Sequence, residues 1–271
     1  MILAGEYQSH TSGPPSTSDT SHRHITSTVG AVGAAIAVGK LMKLSLPQMQ
    51  HAIGIAATQV TGLREMFGSD TKSFHPGRAA QNGLLAAVLA QQDYTSSLTA
   101  LEAKRGWANT VSTRNDLDSL FPRLGKSWEI GANAFKPFPC GIVCHPAIDA
   151  CIQVHEDLVA AGIQPEVLPQ IVEKIDLKVH HLVIELTSKR TPRDGLEAKF
   201  SVFHGCAVGL LYGKAGPAQY TDEVVRNADV IAIRDKVEAS ISDSVGADQC
   251  KLKVSLANAT GKTWPPWQLS S

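Results

Sequence analysis

The run from Thr26 to Leu44, "TSTVGAVGAAIAVGKLMKL", constrains the fold more than any other stretch. It is rich in alanine and glycine and apolar almost all round. That predicts a buried helix, packed closely against others through small residues. The next segment, "SLPQMQHAIGIAATQV", supplies a neighbour. Ser45 and Gln48 have capping-box spacing and Pro47 suits a first turn, so a helix is predicted over 47–60. A third helix is predicted over 77–91, directly after "GSDTKSFHPGR". "SLTALEAKRGWANTVS" reads as a short helix and loop carrying Glu102, Arg105 and Trp107. Three Ala-rich helices on short connections imply an all-α, bundle-like domain.

The character changes after Phe135. A Pro-rich stretch, "KPFPCGIVCHP", leads into a helix predicted over 146–161. "QIVEKIDLKVH" alternates apolar and polar residues, as a strand with one buried face does. "EAKFSVFHGCAVGLLYGKAG" reads as another small-residue helix, stopped at Gly213 and Gly216. A cap at Thr221 should open two short helices through Val237, and "CKLKVSL" should form a final strand with a turn at its tip. The expected fold class is therefore mainly α with α+β. The domains are a polar N-terminal arm over 1–21, a helical domain over 22–135 and a smaller α+β domain over 136–271.

Charge excludes some function classes. Lys plus Arg and Asp plus Glu stand at 25 each, which leaves no electrostatic footprint for nucleic acid or an anionic membrane. No apolar run is long enough to span a bilayer, and the N-terminus lacks the basic region of a secretory leader. The five cysteines are few and odd in number, which suits a reducing compartment. The expected location is the cytoplasm, with the mitochondrion as the alternative.

Any cationic site must then be local. "SDTKSFHPGR" gathers Lys72, His75 and Arg78 where a helix is expected to begin. Helix starts favour negative charge, so these cations call for an anionic partner unless they are simply solvated loop residues. His24 precedes a Ser/Thr-rich helix start and reads either as a surface histidine near a cap or as part of a site. His145 stands at a helix N-terminus, where the dipole disfavours the imidazolium. A neutral ring there can cap the helix or accept a proton. Cys140, Cys144 and His145 lack a fourth zinc ligand nearby, and "CGIVCH" is not a haem-attachment spacing. No phosphate-cradling or serine-nucleophile motif occurs. No metal or cofactor is expected. His180, His181 and His204 read as structural.

Five blocks carry a resemblance: "HITSTVGAVGAAIAVGKLMKL", "GLREMFGSDTKSFHPGRAAQNGLLAAVLA", "EAKRGW", "KPFPCGIVCHPAIDA" and "EAKFSVFHGCAVGLLYGKAG". In this order they resemble the MmgE/PrpD family of 2-methylcitrate dehydratases and cis-aconitate decarboxylases. The resemblance implies a helical domain, an α+β lid and metal-free chemistry on di- or tricarboxylic acids in a cleft between the domains, usually in a homodimer. It assigns catalytic roles to His24, Lys72, His75 and His145. Substrate contacts fall to Lys72, with Arg78 and Lys199 beside it. Removing a proton next to a carboxylate builds charge on an anion, which requires cations aimed at the carboxylate and a base at the carbon.

The family's chains are longer. Their first helices are expected to have no counterpart here, and the C-terminal end is expected to be shortened. The helical domain is thus expected to expose apolar surface that invites association with a copy or a longer relative. Three functions follow: dehydration of 2-methylcitrate or another alkylcitrate, decarboxylation of the cis-aconitate type, or ligand binding without turnover.

Overall fold

A computed structural model describes residues 23–111, 122, 124–126, 128–257 and 267–270. The arm expected over 1–21 lies outside the described residues. Two compact units divide the chain, residues 1–134 and 135–271.

In the first unit, α1 spans Ile25–Leu41, α2 Leu46–Ala57 and α3 Asp70–Gln91. The Ala/Gly run forms α1, which ends three residues before the expected Leu44, where Lys43 takes a left-handed φ of 56°. The capping box of α2 is present: the Ser45 amide donates to Gln48 Oε1 at 3.1 Å, and the Gln48 amide donates back to Ser45 Oγ. Small residues set how near α1 and α3 approach. A Cβ placed on Gly83 of α3 would lie 2.6 Å from the Ala35 amide and 2.8 Å from the Ala31 carbonyl. Val29, Val32, Ala35, Ala52, Ala56, Ala86 and Ala90 form the core. Trp107 and Val111, from the short α4 over Trp107–Val111, close it.

The start of α3 is a correction. It begins at Asp70, not Gly77, so Lys72 and His75 are helical residues and not turn residues. Pro76, expected to fix a turn, lies inside the helix. A proline at that position brings no N–H for the carbonyl four residues back, at Lys72, and interior prolines argue against helix from sequence alone.

The second unit opens its regular structure with α5, His145–Ala160, followed by α6, Leu168–Ile171. Strand β1, Val172–Val179, follows, with Val172, Ile175, Leu177 and Val179 buried. Short helices α7 (His181–Thr187) and α8 (Gly195–Ala198) lead to the buried α9, Val202–Tyr212, which ends at Gly213 with φ 61°. The sequence reading merged α8 and α9 into one helix. Ser201 interrupts them and caps α9 by accepting from the His204 amide. Then come α10 (Asp222–Val225), capped by Thr221 as expected, and α11 (Ala228–Arg234).

The strands β2 (Val237–Ile241), β3 (Cys250–Leu256) and β4 (Trp267–Ser270) complete a sheet of order β2-β1-β3-β4. Only the β1–β2 pair is parallel. Two strands beyond the sequence expectation appear, β2 and β4. Each is too short for its alternation to separate strand from helix. The turn expected beyond the final strand falls outside the described residues. Two glycines let α9 approach α5: a Cβ on Gly205 would meet Ile148 Cγ1 at 2.9 Å, and one on Gly209 its carbonyl at 3.0 Å. Among the described residues no helix is long and apolar enough to cross a membrane.

Candidate functional site

In the first unit, the helix starts of α1 and α3 bring His24 and His75 together. Their Nδ1 atoms lie 2.9 Å apart. His24 is the N-cap residue of α1, and its backbone is held from both sides. Its amide donates to the Gly62 carbonyl at 3.2 Å, and its own carbonyl accepts from Thr28 Oγ1 at 3.1 Å. Phe67 meets the His24 ring edge-on, with centroids 5.2 Å apart. His75 is buried in the face of α3 that also carries Ala79 and Asn82. Gly62 makes room for the pair: with φ 99° it already favours glycine, and a Cβ there would stand 2.6 Å from Ser27 Oγ and 3.3 Å from His75 Nδ1.

Two cations raise the local potential. Burial is the main force lowering the pKa of His24, from 6.5 to about 4, and His75, Lys72 and Arg64 add to it. Burial also lowers the pKa of His75, with Lys72 as the second cause. Both rings are therefore neutral near pH 7. A neutral imidazole flanked by ammonium and guanidinium groups can take a proton from a substrate whose carboxylates those cations would balance.

Arg64 is the residue that sequence reasoning missed in this unit. It sits in a 3-10 turn, Arg64–Met66, and its Nε donates to the Arg23 carbonyl at 3.2 Å. Its signal was present in the quoted "GLREMFGSDTK" block but was not weighed. Arg78 follows one turn after His75, is exposed and donates to Gln81 Oε1 at 2.8 Å.

The second unit holds its own cluster. His145 is the first residue of α5, so the helix dipole does act on it. Burial lowers its pKa and the Lys136 ammonium adds to this, while the backbone carbonyls of Cys140 and Phe138 pull the other way. Its Nε2 is buried without a hydrogen-bond partner. Lys136, whose Nζ donates to the Cys140 carbonyl at 3.2 Å, is a second residue the sequence reading passed over. Its signal lay in the "KPFPC" block. Lys199 belongs to the same unit, where its carbonyl accepts from the Gly141 amide at 2.9 Å. Burial raises the thiols of Cys140 and Cys144, so neither is a nucleophile at neutral pH. His180 and His204 have the local roles expected of structural histidines. His180 caps α7, and His204 Nε2 is 2.8 Å from the Gln219 carbonyl. Among the described residues no three His, Cys, Asp or Glu side chains group as a metal site.

Comparison with known proteins bears on these clusters. The MmgE/PrpD N-terminal domain matches residues 1–120, and the MmgE/PrpD C-terminal domain matches residues 138–262. A cis-aconitate decarboxylase of Aspergillus terreus (strain NIH 2624) is 24% identical over 83% of this chain and 48% of its own length. The human cis-aconitate decarboxylase is 26% identical over 79% of this chain and 44% of its own length. A 2-methylcitrate dehydratase of Salmonella typhimurium (strain LT2) is 24% identical over 76% of this chain and 43% of its own length. The chain thus spans about half the length of the curated relatives it matches. Two consecutive family domains account for nearly all of the sequence, residues 1–120 and 138–262, and the helical first unit with its α+β successor has the matching architecture. The chain belongs to the MmgE/PrpD family.

Proposed function

We propose that this chain is a lyase acting on a di- or tricarboxylic acid, by removal of a proton alpha to a carboxylate without a metal. One observation carries the reading: a neutral histidine pair stands beside Lys72 and Arg64 at two helix starts. The reaction assigned is dehydration of 2-methylcitrate or a related alkylcitrate. In it Lys72 pins a carboxylate as a compact cation, a histidine of the pair takes the proton, and hydroxide leaves from the neighbouring carbon. Low dielectric strengthens the cation–carboxylate attraction as the enolate-like charge develops.

A second reading, decarboxylation of the cis-aconitate type, is favoured by the decarboxylases among the relatives. It uses the same cations to hold carboxylates and breaks a C–C bond instead. Ultraviolet absorbance and CO₂ release separate the two. Incubation with 2-methylcitrate should raise the absorbance as a conjugated acid forms. Release of CO₂ from cis-aconitate would replace the first reading by the second. Neither signal, together with ligand-induced thermal stabilisation, would leave a binding protein. Lys72→Ala should lower turnover by at least about a hundredfold with a nearly unchanged melting temperature. Unfolding of that variant would make Lys72 structural. His145→Asn, assayed alongside, reports whether the second unit's imidazole takes part in turnover.

A further inference from the structure

A contact between two Nδ1 atoms at 2.9 Å has a strict proton requirement. Two lone pairs would repel at that distance and two N–H groups would clash, so one proton lies between the rings. A neutral ring carries one N–H. The ring that donates from Nδ1 therefore has a bare Nε2, and the ring that accepts at Nδ1 has its proton on Nε2. The pair presents one base and one acid at its two outer nitrogens. Of the charged groups that face it, Lys72 opposes a positive charge on either ring and Arg64 opposes one on His24. Phe67 and the backbone bonds at His24 on one side, and burial of His75 within α3 on the other, fix the geometry.

We propose that His24 and His75 act as a single relay that holds one shared proton and takes up and releases protons at opposite ends. This rests on the dehydration reading above. The bare Nε2 takes the proton from the substrate carbon, whose C–H electron pair becomes the new C=C bond. The shared proton crosses from one Nδ1 to the other. The second ring releases its Nε2 proton to the departing hydroxide, which leaves with the C–O electron pair as water. Two protons have moved at the ends and one in the middle, and the pair finishes neutral with its tautomers exchanged. Neither ring ends the step as a cation beside Lys72 and Arg64, which a lone histidine base in this place would have to do.

The test is long-range proton–nitrogen correlation on the full chain, labelled with ¹⁵N in histidine, with each ring assigned through its own backbone. Opposite tautomers for residues 24 and 75, or averaged populations of the two that sum to one Nδ1–H, are expected. Two rings that are both Nε2–H would overturn the relay. The kinetic arm uses His24→Asn and His75→Asn on 2-methylcitrate. Each should lower kcat by about 10²–10⁴-fold, and the double variant should be within a few fold of the worse single one, because both remove the same unit. Losses that multiply would overturn the shared role. Opposed tautomers in a wild-type chain that does not dehydrate would instead remove the dehydration reading and leave the one-proton pair standing.

Discussion

The two units are built on different packing strategies. The largest fully buried side chains, among them Ile148, Leu158, Ile175, Leu177, Leu210 and Leu252, all belong to the second unit. The first unit has a core dominated by alanine and valine, and it leaves Leu41, Leu46, Phe74, Leu84, Leu85 and Val88 exposed. Buried apolar area supplies most of the drive to fold, at roughly 25 cal/mol per Å². The second unit gains that from bulk. The first gains it from close backbone approach, which small residues permit and which also sets the spacing of α1 and α3, and with it the contact of His24 with His75. Deletion should therefore hurt the second unit most, and addition the first.

The sharpest break of this contrast is Leu177→Ala. Leu177 is 1% exposed in the central strand β1, so the change leaves a cavity and should cost about 2–5 kcal/mol in chemical denaturation. A loss below about 1 kcal/mol would mean the sheet core collapses around the gap. Next in size is Gly83→Ala, where the added methyl meets the backbone of α1; about 1–3 kcal/mol of destabilisation is expected, read from the thermal melt. A stabilising outcome, as Gly→Ala gives in an open helix, would show that α1 and α3 are not held at close range.

Acid should act on both units through their buried histidines, and at lower pH on the second unit through Glu197 as well. The folded pKa of His24, about 4, is below the unfolded 6.5, so the unfolded chain binds more protons between those values. Its penalty is absent above pH 6.5 and grows as pH falls to about 4. His75 in the first unit and His145 and His204 in the second shift in the same direction. Glu197, held at about 2 chiefly by its hydrogen bonds to Arg193, acts lower down: its contribution is present above 4.5 and is lost as pH falls through 2. Urea midpoints measured from pH 6.5 to 4 should fall in the wild type and fall less in His24→Asn. Equal slopes would remove His24 from the balance. The smallest effect belongs to Leu85→Ser, a change on an exposed face of α3, expected within about 0.5 kcal/mol by the same melt.

Much of this architecture was written in local patterns. The Ala/Gly run made α1 legible, the Ser45–Gln48 pair made α2 legible, and the alternation in "VEKIDLKV" made β1 legible, because each pattern repeats with the period of its element. The start of α3 was not legible, since Pro76 reads as a break and only tertiary packing keeps the helix running through it. Strand β2 needed its parallel partner β1 to exist as a strand. For the candidate site, sequence picked out Lys72, His75 and His24 as chemistry-bearing residues. It said nothing of Arg64 and Lys136, which carry no pattern of their own.

Composition and period thus determined by themselves that a close-packed helical unit precedes an α+β unit, while the order of five sequence blocks carried the resemblance to the MmgE/PrpD family. Only the tertiary structure decided that residues 51 positions apart place two Nδ1 atoms at 2.9 Å. A hydrogen bond depends on tenths of an ångström across elements that are distant in sequence. Periodicity reports only which face of each element is apolar.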